Sequence, residues 1–346
     1  METGRIAGQA NGAVWIQYGE TIVLVTACRS KRAGDRDFLP LTVEYREKSY
    51  AGGRIPGNFF RREGRMGEKE TLAARLTDHM IRPMFPKKYR YEVQVFITIL
   101  SYDGENDADV LGMVGASASL VLSDMPFDGP IAAVRVGRVD GDLVINPTNS
   151  QLEESDMDLI ISGDRDSIGS VEGHAEEISE AALLEALEFA HENIQGILEL
   201  QDELQKKAGK EKQEYIAPVI DPELAKAVEE FAGKRVSEAN HTDDRSDRAQ
   251  KLDDVEADVQ EALAEKFPES SKDIGEVMYD LIKNDMRRMV LTEKRRIDGR
   301  KVDEVRPLSA EVEVLPRAHG SALFQRGETQ ALCVATLGNK MDEKMV

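Results

Sequence analysis

The sequence predicts an α/β (α+β) domain, with a mixed sheet and packed helices, followed by an all-α domain. Three observations carry this. β-rich runs alternate with helical segments through about residue 175. Long amphipathic helices then take over, punctuated by Pro218, Pro222 and Pro268. Finally, a hairpin sequence near the start recurs 308 positions later.

In chain order, AVWIQYGETIVLVTAC (13–28) reads as two apolar runs joined at Tyr18-Gly19, a hairpin signal. LTVEY (41–45), VQVFITIL (93–100), AAVRVG (132–137) and MDLIISG (157–163) read as further strands. EKETLAARLTDHMI (68–81) and ADVLGMVGASASLVLSD (108–124) have helical spacing, and the small residues of the second suit close packing on a sheet. From about Ala175 the pattern predicts helices in AEEISEAALLEALEFAHENIQGILELQDEL, DPELAKAVEEFA, DDVEADVQEALAEKF and DIGEVMYDLIKNDMRRMVL. NHTDDRSDRAQKLDD (240–254) reads as a solvated helix entry, because aspartates favour a helix N-terminus.

A chain of 346 residues is too long for one ordinary core, and 41% hydrophobic residues suffice to build two or three domains. No window approaches 18 uncharged apolar residues, and METGRIAGQANGAVW lacks a basic and apolar leader pattern. The expectation is a cytoplasmic chain outside any membrane. Cys28 and Cys333 each fall in a β-like run and are expected as buried structural thiols in a reducing compartment. Five histidines show no metal-ligand spacing, so no metal site is expected from them. AGGRIPGN lacks the pattern of a phosphate-cradling loop.

The net charge of -20 is unevenly placed. Residues 151–280 hold 36 acidic against 13 basic side chains, a larger surplus than that of the whole chain, so the remainder is slightly basic. Residues 54–90 hold ten basic and four acidic side chains, enough to hold a polyanion locally. Within them GNFFRREGR sets Phe59, Phe60, Arg61, Arg62 and Arg65 behind Gly52, Gly53, Pro56 and Gly57. Arginines that fork onto phosphates and aromatic faces that stack bases suit single-stranded nucleic acid. The competing reading buries one Phe and pairs the arginines with Glu63, Glu68 or Glu70.

The repeat aligns GAVWIQYGETIVLVTA (12–27) with GSALFQRGETQALCVA (320–335). Gly12/Gly320, Gln17/Gln325, Gly19/Gly327, Glu20/Glu328, Thr21/Thr329, Leu24/Leu332 and Ala27/Ala335 are identical pairs. This reads as a duplicated domain whose second copy starts near Arg300. With no partner strands for LCVATLG before Val346, the expectation is a piece of a longer protein.

GETIVLVTA, FFRREGR followed by EKETLAARL and IRPMFP, GPIAAVRVGRVDGDLVINPT, a helical insert, DGRKVDEVRPL and GSALFQRGETQAL resemble, in that order and along nearly the whole chain, the polynucleotide phosphorylase family. The resemblance implies two ribonuclease PH-like domains flanking a helical domain: 1–211 the first, 212–292 all-helical, and 293–346 the start of the second. It implies a homotrimeric ring that threads RNA 3′ ends through a pore, possible RNA-degradation complex partners, and phosphorolysis by inorganic phosphate with Mg²⁺ or Mn²⁺. Phe59, Phe60, Arg61, Arg62 and Arg65 would line the pore neck.

In the family's second copy a serine run precedes a G-A-S helix segment where phosphate sits. Counting back from Gly115-Ala116-Ser117 gives Asn106, Asp107, Ala108 and Asp109 here, and carboxylates repel phosphate. Of the family's two aspartates six residues apart, Asp156-Met157-Asp158 matches the later triplet and Ser150 stands at the earlier position. The first copy therefore reads as RNA-guiding with no catalytic residue and no metal site, although Glu105 to Asp107 with Asp109 could gather a stray cation. Arg317, His319 and Arg326 resemble residues near the active centre of the second copy. Two other readings remain open: a non-catalytic RNA-binding and assembly module, and an exosome-type ring subunit.

Overall fold

The computed structural model describes residues 1–34, 36, 38–57 and 63–342. The chain divides into two compact units, Met1–Pro218 and Val219–Val346. No helix among the described residues is long and apolar enough to cross a membrane.

The first unit opens with β1 (Gly12–Tyr18) and β2 (Thr21–Ala33), then β3 (Leu41–Glu47), α1 (Glu68–Ile81) and β4 (Tyr91–Ser101). The sheet order is β1-β2-β4-β3, with β3 parallel to β4 and the other pairs antiparallel. α2 (Ala108–Leu122) follows, then β5 (Ala132–Val139), β6 (Asp142–Ile145), the short α3 (Asn149–Leu152), β7 (Met157–Gly163), β8 (Ile168–Ala175) and α4 (Glu180–Ala208). Strands β5 to β8 form an antiparallel sheet in the order β6-β5-β7-β8. α2 meets the first sheet on one side and β5 and α4 on the other, and every residue in it except Leu111 is buried. Its Ala, Gly and Ser residues let the backbone approach both layers. Met113 and Leu120, both fully buried, fill the space between, and burial of each such side chain contributes about 1.5–3 kcal/mol. Past the end of α2 an extended strap, residues 209–221, leads away from α4. Lys212 Nζ donates to the carbonyls of Leu120 (2.7 Å) and Ser123 (2.9 Å), satisfying acceptors that the helix end leaves open. Burial brings this ammonium's pKa down to about 8.

The strands expected at 132–137 and 157–163 and the helix at 68–81 stand where the sequence puts them. β8 differs: helix was expected from about Ala175, yet Ile168–Ala175 is a strand and helix begins at Glu180. Nearly all of β8 is exposed, so IGSVEGHA carries no alternation, and pairing with β7 is what makes it a strand. Ser162 and Gly163 belong to β7, and the turn begins at Asp164, whose Oδ1 accepts from the backbone of Asp166 (2.9 Å) and Ser167 (2.8 Å).

The second unit contains α5 (Pro222–Asn240), α6 (Arg245–Leu263), α7 (Ser271–Glu293), β9 (Leu308–Val312), β10 (Gly320–Arg326) and β11 (Thr329–Ala335). The three helices share a core of Leu224, Val228, Ala232 and Val236 against Val255, Val259, Ile274, Val277 and Met278, the i, i+4 spacing of one apolar stripe per helix. Asp244 caps α6 by accepting from Ser246 N and Asp247 N, both at 2.9 Å, the role its sequence context suggested.

The repeat survives in three dimensions. Gly12 pairs with Ala27 and Tyr18 with Thr21; 308 residues on, Gly320 pairs with Ala335 and Arg326 with Thr329, the same register. Gln17 Nε2 donates to Gly19 O at 2.9 Å and Gln325 Nε2 to Gly327 O at 2.8 Å. Gly19 (φ 59°) and Gly327 (φ 61°) occupy the left-handed region that a two-residue hairpin turn demands. What differs is the cover. Val25 is fully buried beneath α2, whereas its counterpart Cys333 is exposed, because no helix among the described residues packs on β10 and β11 as α2 packs on β1 and β2. The expectation of two buried thiols is thus corrected: Cys28 is half-buried and Cys333 is exposed.

The G-E-T turn has a docking task in the first copy. Thr21, fully buried, donates from Oγ1 to Asn106 O (2.9 Å) and accepts from Asp103 N (3.3 Å), while Glu20 N donates to Asp103 Oδ2 (3.1 Å). Partial burial pushes the Asp103 carboxyl up. The N–H groups of Asn106, Glu105 and Glu20 and the Asn106 amide overcome this and hold it well below the usual carboxylate range. With its folded-state pKa depressed, Asp103 contributes stability above the unfolded carboxylate value of about 3.9, and that stability is lost as pH falls through the folded value. Asp103→Asn should lower Tm at neutral pH and flatten the fall in Tm below about pH 4. An acid branch identical to that of the wild type would refute this anchoring.

Candidate functional site

Strands β3 and β4 run parallel, so their carboxyl ends share one edge of the first sheet, where ligands of open α/β sheets gather. The G-E-T turn reaches the same edge, since Ile22 pairs with Ser101. The loop from β3 to α1 starts there, and Tyr102 N donates to Ala51 O (3.0 Å) to hold the loop's base. Its other end is fixed by Glu63, which accepts from Lys48 Nζ (2.9 Å) and Ser49 N (3.1 Å). Glu70 ties the start of α1 to this edge, accepting from Gly67 N (2.6 Å) and Glu47 N (2.9 Å).

Phe59, Phe60, Arg61 and Arg62 lie outside the described residues. Arg65 is exposed, as is Arg54 on the approach to the same stretch. Among the described residues neither has an ion pair, although neighbouring cations do: Arg46 meets Glu44 (3.6 Å), Lys48 meets Glu63, and Lys69 meets Asp107 (3.1 Å) and Glu47 (3.8 Å). Glu63 and Glu70, named as rival partners for the loop arginines, are occupied by Lys48 and by backbone N–H groups. Arg54, like Arg65, has no ion pair among the described residues, and only its place in the ten-cation stretch 54–90 marked it.

Beneath this edge lies a charge cluster that sequence spacing did not show. Asp107 caps α2, accepting from Ala108 N (2.8 Å), and Asp109 lies in the first turn. Arg135 of β5 reaches both, with Asp109 on Nη2 and Asp107 3.6 Å from the same nitrogen, and its Nη1 donates to Asp158 of β7 at 3.1 Å. Burial, then the neighbouring Asp107 charge, push the Asp109 carboxyl up against the pull of Arg135. Burial likewise raises Glu47 and, far more, Tyr45, whose hydroxyl is also raised by the Asp109 charge. Asp156, the other acid of the triplet, takes its own arginine, accepting from Arg138 Nε at 2.9 Å. Ser150 donates to Glu105 Oε1 (2.9 Å). The acids suggested for a stray cation are therefore divided among Ser150, Lys69 and Arg135. Among the described residues no group of three or more His, Cys, Asp or Glu is arranged to hold a metal ion.

In the second unit, His319 Nδ1 accepts from Leu337 N (3.0 Å) just before β10, with Arg317 exposed two residues earlier. Arg326 ends β10. Six strand residues separate His319 from Arg326, roughly 20 Å, so the structure groups Arg317 with His319 and sets Arg326 apart.

Residues 1–126 and 304–345 match one and the same family model, 3′ exoribonuclease family, domain 1, which is the duplication seen in the two hairpins. Residues 129–193 match domain 2 of that family, and residues 223–301, the three-helix segment, match the RNA binding domain of polyribonucleotide nucleotidyltransferase. The chain is similar to polyribonucleotide nucleotidyltransferases of Syntrophotalea carbinolica (51% identity over 345 residues, 99% of this chain and 49% of that protein) and Desulfosudis oleivorans (51% over 348 residues, 100% and 48%). It is equally similar to that of Desulfatibacillum aliphaticivorans, at 52% over 349 residues, 100% of this chain and 49% of the relative. The chain spans about half the length of the curated relatives it matches. A domain type matched at both ends, the family's own helical domain between them and about half of all residues identical throughout place the chain in the polyribonucleotide nucleotidyltransferase family.

Proposed function

We propose that this chain is the RNA-guiding part of a phosphorolytic 3′-to-5′ exoribonuclease. In the reaction an oxygen of inorganic phosphate bonds to the terminal phosphodiester phosphorus. The bond from that phosphorus to the penultimate 3′ oxygen breaks, the oxygen takes a proton, and a nucleoside diphosphate leaves. Residues 1–211 act as the first ribonuclease PH-like domain, 212–292 as the helical domain and 293–346 as the start of the second such domain, to which Arg317, His319 and Arg326 contribute. Single-stranded RNA is the substrate, three chains form the ring, and the setting is RNA turnover in the cytoplasm.

The observation that carries this reading is the pair of exposed guanidiniums, Arg54 and Arg65, which have no counter-charge among the described residues and follow β3 in a chain of net charge -20. They flank the stretch that holds Phe59, Phe60, Arg61 and Arg62, so phosphate contacts and base stacking fall on one loop. The activity calls for Mg²⁺ or Mn²⁺ to neutralise developing charge. The first copy's carboxylates do not fit that ion, being already engaged by Arg135 and Lys69. That same engagement favours a second reading for residues 1–211 taken alone, a non-catalytic RNA-binding and assembly module.

Reversing both charges, Arg54→Glu with Arg65→Glu, should weaken binding of a poly(A) oligonucleotide about tenfold or more and lower the salt slope by about 2. Arg61→Glu with Arg62→Glu should act in the same direction. An unchanged anisotropy titration for both pairs would remove the loop from the RNA path. Incubation with poly(A), phosphate and Mg²⁺ separates the two readings, since ADP release shows phosphorolysis by the chain itself and RNA binding without ADP shows the module. Product that forms equally well without phosphate would point to a hydrolytic, exosome-type subunit.

A further inference from the structure

We propose that the Arg135 guanidinium takes the place of a divalent cation in the first unit, holding three carboxylates that would otherwise form a metal site. The three come from separate places in the chain: the N-cap of α2 (Asp107), its first turn (Asp109) and β7 (Asp158). One side chain from β5 faces all of them. The group is largely out of water, with side-chain exposures of 11% for Arg135, 8% for Asp109 and 14% for Asp107. Three carboxylates so placed repel one another unless a cation sits between them.

A hard divalent ion prefers such an all-oxygen set. A further oxygen is at hand, because the hydroxyl of fully buried Tyr45 makes no well-aligned hydrogen bond among the described residues and feels the charges of Asp109, Glu47 and Asp107. Arg135 Nε is likewise buried and unpartnered, so the guanidinium binds through its two terminal nitrogens and leaves the interior of the cluster incompletely satisfied. Around the guanidinium the carboxylates do not converge on an ion, since no metal-holding group occurs among the described residues. The consequence is a first unit whose fold does not depend on metal, and a latent cation site that opens when the guanidinium is removed. This inference stands on the cluster alone and not on the RNA reading.

The test uses the whole chain freed of metal, with Mn²⁺ as the probe, thermal unfolding and water-proton relaxation as readouts, and Arg135→Ala beside the wild type. The wild type should show no Mn²⁺-dependent change in Tm. Arg135→Ala should bind Mn²⁺ saturably, with Tm raised by roughly 5 °C at about a hundredfold excess over the dissociation constant. Adding Asp158→Asn to Arg135→Ala should abolish the shift. A folded Arg135→Ala chain that ignores Mn²⁺ overturns the proposal, as does wild-type Mn²⁺ binding that Asp158→Asn removes. If Arg135→Ala does not fold, the wild-type arm still decides: Asp158-dependent Mn²⁺ binding overturns the proposal, and its absence upholds it.

Discussion

Arg135→Met is expected to destabilise the Met1–Pro218 unit by about 3–5 kcal/mol, because it removes one partner of a largely buried ion cluster and leaves the others charged. Methionine keeps much of the arginine stem, so lost packing is the smaller part of the effect. The carboxylates bear the cost: Asp109 must then exist either as an uncompensated buried anion or as a neutral acid. Asp109→Asn introduced into Arg135→Met should therefore recover part of the loss, whereas in the wild-type background it should destabilise. That reversal of sign is the diagnostic outcome of a double-mutant cycle read by urea unfolding. If Arg135→Met stays within about 1 kcal/mol of the wild type, the cluster does not tie α2 to the β5–β8 sheet in the way its geometry implies.

How much of this was legible in the sequence depends on where the information sits. β7 could be read residue for residue, because its apolar run faces a buried layer over its whole length, and α1 because its apolar positions recur at helical spacing. β8 could not: its side chains are exposed, and it is a strand because Met157–Gly163 offers an open edge. The repeat was legible because its identical residues have geometric duties. Gly19 and Gly327 supply positive φ, and Gln17 and Gln325 close the turn. The Arg135 cluster was hidden for the opposite reason. Asp107 and Asp109 were singled out as hostile to phosphate and Asp158 as part of a triplet, but the arginine that gathers them lies 26 residues beyond Asp109 and 23 before Asp158, in a strand that reads only as AAVRVG. No local period encodes such a pairing, since it arises when α2 packs against β5. Likewise, the alternation that hides Val25 in β2 recurs in β11, but pattern alone could not say whether a helix covers it.

The repeat also yields a prediction in which one substitution gives two outcomes. Gly12 and Gly320 are the first identical pair, each opening its hairpin in the same register. An added Cβ at Gly12 would lie 1.9 Å from the carbonyl oxygen of Ser119, inside the backbone of α2, whereas one at Gly320 would meet only the Ala335 methyl at 3.4 Å. The first contact is with helix backbone and cannot be relieved by a rotamer change. Gly12→Ala must push β1 away from α2 and open the layer that buries Val14 and Ile16, at about 1–3 kcal/mol or more. Gly320→Ala should stay within about 0.5 kcal/mol. Measured side by side by thermal unfolding, the two variants report whether a helix lies against each hairpin, with identical chemistry and an identical strand position as the internal control. Equal losses at both positions would mean that the glycine is required by the hairpin itself, and that the helix-packed interface is not what distinguishes the first copy from the second.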